Sequence, residues 1–119
     1  MIIHGREIGF LLTVGASCEI AEMCPNGDMK RLGELMNPDK LADVQKVNAQ
    51  IIHSMNKGYE EAQEFEQEGY KANPITVREM MTLSPAQFNA LAKEAFTAFT
   101  TGTQTTVEVE PDKKNETQA

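Results

Sequence analysis

The chain predicts an α+β fold that is mainly α: a short N-terminal β-hairpin followed by a bundle of about four to five helices. Three observations predict it. Strand-favouring residues crowd the first dozen positions, helix-starting signals recur from Thr13 to Ser84, and beyond Gly102 the composition turns to Thr, Glu, Lys and Asn. With 119 residues the chain makes one domain, assigned to residues 1–110, with a disordered polar tail at 111–119.

Met1-Ile-Ile-His4 and Glu7-Ile-Gly-Phe-Leu-Leu12 read as two strands around a tight turn at Gly5-Arg6, since glycine accepts positive φ. Two strands alone are marginal. The hairpin must therefore lean on its own helices or extend a neighbour's sheet in a homo-oligomer, and the sequence leaves both open.

Thr13 is an N-cap for a first helix reaching Met23, which Pro25-Asn-Gly-Asp28 stops. Asp28 caps a short helix from Met29 to Met36. Asn37-Pro38-Asp39 then opens the strongest helix: a capping residue, proline in the first turn, and an acid at the positive end of the dipole. Leu41, Val44, Val47, Ile51, Met55, Tyr59, Ala62 and Phe65 follow at three- and four-residue steps as one apolar stripe. Gly58 is the place where this helix, spanning 38–70, would break if it breaks, but one helical glycine costs only about 1 kcal/mol, so the sequence leaves its continuity open. Its far end carries Glu60, Glu61, Glu64, Glu66 and Glu68, read either as a solvated face or as a surface for a basic partner.

Asn73-Pro74 forces an extended or turn conformation. Thr76 with Glu79, and Ser84 with Gln87, are capping boxes, the second with Pro85 at the first helical position. The last helix buries Phe88, Leu91, Ala92, Ala95 and Phe99 and ends at Gly102. Thr105 to Glu110 alternates like an edge strand.

Composition excludes several functions. The net charge of −7, with eleven basic residues scattered in runs no longer than two, disfavours nucleic-acid binding. No apolar run approaches the length of a membrane span and no secretory start is present, so a cytoplasmic location is expected. Cys18 and Cys24 match no zinc spacing and read as structural thiols, Glu19 and Glu22 beside Cys18 opposing thiolate formation. The pairs Glu60/Glu64 and Glu64/Glu68 have i,i+4 spacing but lack a histidine at ligand distance. No catalytic, metal or cofactor residue is expected, and the chain reads as a non-enzymatic binding protein.

The order and spacing of these segments resemble the tail assembly chaperones of long-tailed (siphovirus-type) bacteriophages and prophages. The resemblance covers Ile2 to about Glu110. Its carriers are Ile2-Ile-His-Gly-Arg-Glu7, Phe10-Leu-Leu-Thr-Val-Gly15, Ala49-Gln-Ile-Ile-His-Ser-Met-Asn-Lys-Gly-Tyr-Glu-Glu-Ala62, Pro74-Ile-Thr-Val-Arg-Glu79, and a last helix ending near Phe99 before a Thr/Val/Glu tail. It implies a small helical protein that coats the tape-measure protein and keeps it soluble in the host cytoplasm during tail assembly. Such a protein is absent from the finished virion.

The resemblance also implies a longer form made by ribosomal frameshift that engages tail-tube protein. Lys113-Lys114-Asn115 can be encoded by the slippery heptamer A-AAA-AAC, although codon degeneracy leaves this open. Met80, Met81, Phe96 and Phe99 are the candidate partner-binding residues, lining an apolar groove between helices. The alternative reading is a generic acidic helical adaptor or regulator with another protein partner.

Overall fold

The computed structural model describes residues 1–35 and 41–103. The protein is mainly helical, with a two-stranded antiparallel hairpin at its N-terminus. The elements are β1 (Ile2–Ile3), β2 (Arg6–Glu7), α1 (Val14–Met23), two 3₁₀ segments at Pro25–Gly27 and Met29–Leu35, α2 (Leu41–Glu66), α3 (Val77–Met80) and α4 (Pro85–Gly102). The expected helix start at Asn37-Pro38-Asp39, the edge strand at 105–110 and the tail at 111–119 lie outside the described residues.

The hairpin pairs Ile2 with Glu7 and Ile3 with Arg6. Its turn is therefore His4-Gly5, one residue earlier than expected. Both residues have positive φ, 51° and 81°. That is the twist a two-residue hairpin needs, and the second position is the one glycine fills best. Arg6 is freed to enter β2, and its guanidinium donates to the Asn73 carbonyl at 2.7 Å. Pairing also ends sooner than the residues to Leu12 suggested. After Ile8 the chain leaves β1 and follows α2, where Leu11 N–H donates to the Met55 carbonyl at 3.1 Å. Ile3 and Ile8 are buried among the helices, so this hairpin leans on its own core.

The capping signals act as read. The Thr13 hydroxyl accepts from Ala16 N–H at 3.1 Å, and both capping boxes close in full. Asp28 caps the second 3₁₀ segment through Lys30 N–H at 3.0 Å. That segment is 3₁₀ rather than α.

The middle helix departs from a simple amphipathic stripe. Leu41 and Phe65, its expected ends, are exposed, whereas Ala49, Ile52, Asn56 and Glu60 off the stripe are buried. The cause is its central place. One side packs on Ile20 of α1 with residues of the second 3₁₀ segment; another meets Ile3, Ile8, Ile75, Met80 and the buried face of α4. Phe10 and Phe96 touch both clusters and join them. A helix covered on two sides buries more of its circumference than a surface helix does.

Gly58 does not break α2, which runs without interruption for 26 residues, about 39 Å at 1.5 Å per residue. Glycine is there for space: a Cβ would lie 2.6 Å from the Leu11 carbonyl oxygen and 2.8 Å from Thr13 Oγ1. Gly102 likewise closes α4 against Leu12 and is not in a left-handed cap.

One ion pair ties α1 to α2. Lys57 Nζ lies 2.7 Å from Glu19 Oε2, and Ser54 Oγ donates to Oε1 at 2.7 Å. The bond from Lys57, helped by that from Ser54, holds the Glu19 carboxyl below its usual 4.5 despite partial burial. A depressed carboxylate stabilises the fold above its unfolded pKa, and that contribution is lost as pH falls through the folded value. Glu19→Gln is therefore expected to flatten the fall in melting temperature as pH drops from 5 towards 3, by roughly the linkage of one carboxylate. The effect is small because the pair is partly solvated. An unchanged slope in the variant would show that the pair is not coupled to folding.

Candidate partner-binding surface

The residues expected to form one groove fall at two places, Met80 and Met81 at the end of α3 and Phe96 and Phe99 on α4. Met80 is 1 % exposed and belongs to the core with Ile75, Phe88 and Leu91. Met81, its neighbour, is 52 % exposed. Both border a pocket of about 130 Å³ with Gln45, Leu83, Pro85 and Phe88. This pocket exists because the Thr76 and Ser84 capping boxes start two helices eight residues apart, leaving a tight connection that crosses the first half of α2.

Phe96 and Phe99 lie near the other end of α4. Their rings meet edge to face, with centroids 6.4 Å apart and planes at 71°. Both are half-buried over Ile20, Ile51 and Met55. Phe96 also borders a shallow groove with Lys93, Thr97, Thr100 and Thr101. The hydroxyls of Thr97 and Thr101 bond back to Lys93 and Thr97 carbonyls at 2.9 Å each, satisfying them within the helix. From Phe88 to Phe96 is about 12 Å along the helix axis, so the pocket bordered by the two methionines and the groove bordered by Phe96 are separate. A charge at Met80 would test folding, because it would be buried without a partner. Met81 is the position in this set where a polar substitution leaves the core intact.

A third opening of about 460 Å³ runs between the extended segment Glu7–Phe10 and Lys93, Glu94, Thr97 and Ala98 of α4. Its mixed acid, base and methyl lining offers no single ligand chemistry.

The acidic end of α2 is divided. Glu60, read in the sequence as part of one acidic face, is 3 % exposed. It accepts from Tyr70 Oη at 2.8 Å and from Asn73 N–H at 3.0 Å, folding the chain after α2 back onto the helix. The same bond holds the Tyr70 phenol above its usual 10.0. Glu64 accepts from Ala72 N–H at 3.3 Å, while Glu61, Glu66 and Glu68 face solvent with it. Of the i,i+4 carboxylates, Glu60 and Glu64 are thus engaged by this return of the chain. Among the described residues no group of three or more His, Cys, Asp or Glu is placed to hold a metal ion. No described helix is long and apolar enough to cross a membrane.

The cysteines part company. Cys24 is buried, its thiol donating to the Ile20 carbonyl at 3.4 Å, and burial followed by the Asp28 charge pushes its pKa up. Cys18 is exposed, which the reading of both as structural thiols missed.

The two most exposed large apolar side chains lie outside the expected groove. Val14 is 83 % and Phe65 91 % exposed, with Leu11 at 43 %. Phe65 was assigned to the core stripe because its spacing continues that stripe. The stripe outlasts the partners that would cover it, since α1 begins beside Gly58.

Comparison with protein-family models, with curated proteins and with solved structures found no match for this chain.

Proposed function

We propose that this chain works by binding a protein, as a tail assembly chaperone of a long-tailed bacteriophage or prophage. It acts in the host cytoplasm, has no catalytic role, and holds the tape-measure protein soluble until tube subunits polymerise around it. The observation that carries this reading is the succession of hairpin, short helix, long helix, capped single turn and final helix, on which the resemblance rests. Solvent-facing Met81, Val14 and Phe65 add to it, because a coat for a long apolar helical protein needs apolar contacts on its own surface. Many copies along one partner would gain avidity from contacts that are individually weak. A frameshifted form extended beyond Lys113-Lys114-Asn115 would bring in tail-tube protein.

The test is to read the DNA from codon 105 onward and to co-express the chain with the downstream product. The expected result is a heptamer A-AAA-AAC at codons 113–115, then a very long reading frame whose product stays soluble only when this chain is present. A long product that precipitates equally with and without excess chain would overturn the proposal. So would unrelated neighbouring genes. Met81→Ser is expected to weaken solubilisation without lowering the melting temperature, and a full-strength variant would remove the pocket beside Pro85 from the binding surface.

A further inference from the structure

We infer that the outer side of α1, together with the projecting end of α2, is a docking surface for a cationic amphipathic helix of a protein partner. The inference holds whatever the identity of that partner.

Helix α1 is covered on one side. Ala16 and Ile20 are buried, Glu19 bonds to Ser54 and Lys57, and Thr13 meets Gly58. These contacts run in opposite chain directions, so α1 is antiparallel to α2. The last two turns of α2 therefore extend past the start of α1. On the outer side of α1, Val14, Gly15, Cys18 and Glu22 are all exposed. Phe65 lies seven residues, two turns, beyond Gly58 and so on the side of α2 that meets Leu11 and Thr13. Leu11, Val14 and Phe65 consequently lie along one side of the molecule, Phe65 about 10 Å beyond Gly58 along α2. Single exposed apolar residues are ordinary, whereas several together mark contact surfaces. Gly15 and Cys18 keep the α1 side low, so that a second helix can approach closely.

Charge decides the occupant. Glu61, Glu64, Glu66 and Glu68 are exposed around Phe65, against one exposed base, Lys71, in the same stretch. Lys57 is already paired with Glu19. At the other end of α1 stands Glu22. A second copy would bring the same acids against these and carries a net charge of −7 itself. A partner helix with an apolar stripe flanked by Lys or Arg meets both features at once.

Cys18 reports on this surface directly, with buried Cys24 as the internal reference. The experiment measures the alkylation rate of Cys18 by mass spectrometry, with and without a synthetic helical peptide carrying a leucine stripe and lysine flanks. The control peptide has glutamate for each lysine. The cationic peptide is expected to slow alkylation several-fold, with the rate restored by salt, because exposed charges are screened. The anionic peptide should leave it unchanged. Phe65→Ser should lose the protection while keeping its melting temperature. The inference is overturned if the cationic peptide gives no protection, if both peptides protect equally, or if Phe65→Ser is protected as well as the parent. Protection that grows with protein concentration alone, alongside a dimer in sedimentation, would assign the surface to a second copy and overturn it too.

Discussion

Asn56→Ala is expected to destabilise the fold by about 2–4 kcal/mol, since each buried polar group left without a partner costs about 1–3 kcal/mol. Asn56 is fully buried in α2. Its amide nitrogen donates to the Gly9 carbonyl at 2.8 Å, and its amide oxygen accepts from Ile75 N–H at 2.7 Å. One side chain thereby fastens the segment after the hairpin and the segment before α3 to the same turn of α2. Removing it orphans a backbone acceptor and a backbone donor in one step. Urea unfolding measures the loss. Hydrogen exchange should locate it, with the Ile75 amide losing protection most. A shift of the denaturation midpoint worth less than about 0.5 kcal/mol, the size typical of surface substitutions, would mean that the two segments do not depend on this bridge.

Gly58→Ala reverses the outcome that local preference predicts. In a helix interior, alanine is favoured over glycine by about 1 kcal/mol. Here the added methyl would sit 2.6 Å from a backbone oxygen, that of Leu11, and 2.8 Å from the Thr13 hydroxyl that caps α1. Backbone cannot swing aside as a flexible side chain can. The Leu11–Met55 hydrogen bond and the cap must shift together. Overpacking of this kind costs about 1–3 kcal/mol and occasionally more, so a net loss of about 1–2 kcal/mol is expected after the propensity gain of about 1 kcal/mol, the contact being with backbone. Gly33, with open space around its Cβ position, is the control and should show no such loss. A more stable Gly58→Ala protein would show that the close approach of Leu11 to α2 is not required.

These two residues also mark how far the sequence could be read. The caps at Thr13, Thr76 and Ser84 were legible because each bond spans three residues, and chain-local chemistry needs no knowledge of the fold. The hairpin turn was misplaced by one residue because Gly5 suits either turn. The choice fell to Arg6, which pairs with Ile3 and reaches Asn73. The partners of Asn56 lie 47 and 19 residues away, and nothing near it distinguishes it from an exposed helix asparagine. Glu60 was hidden among its acidic neighbours for the same reason.

The candidate surface was less legible than the fold. Met80 and Met81 look alike in sequence, yet one is core and the other half open, because Met80 ends the single turn of α3 inside the core and Met81 caps it on the outside. Phe65 obeys the core spacing and is exposed, because the helix that would cover it starts lower on α2. By itself the sequence determined where α1, α3 and α4 begin and that the helices follow a hairpin; these depend on interactions between near neighbours. Only the tertiary structure decided that α2 passes unbroken through Gly58, that Asn56 and Glu60 lie inside, and which apolar side chains remain in water. Those outcomes depend on which distant segments arrive to cover each turn, and burial belongs to the pair of surfaces that meet.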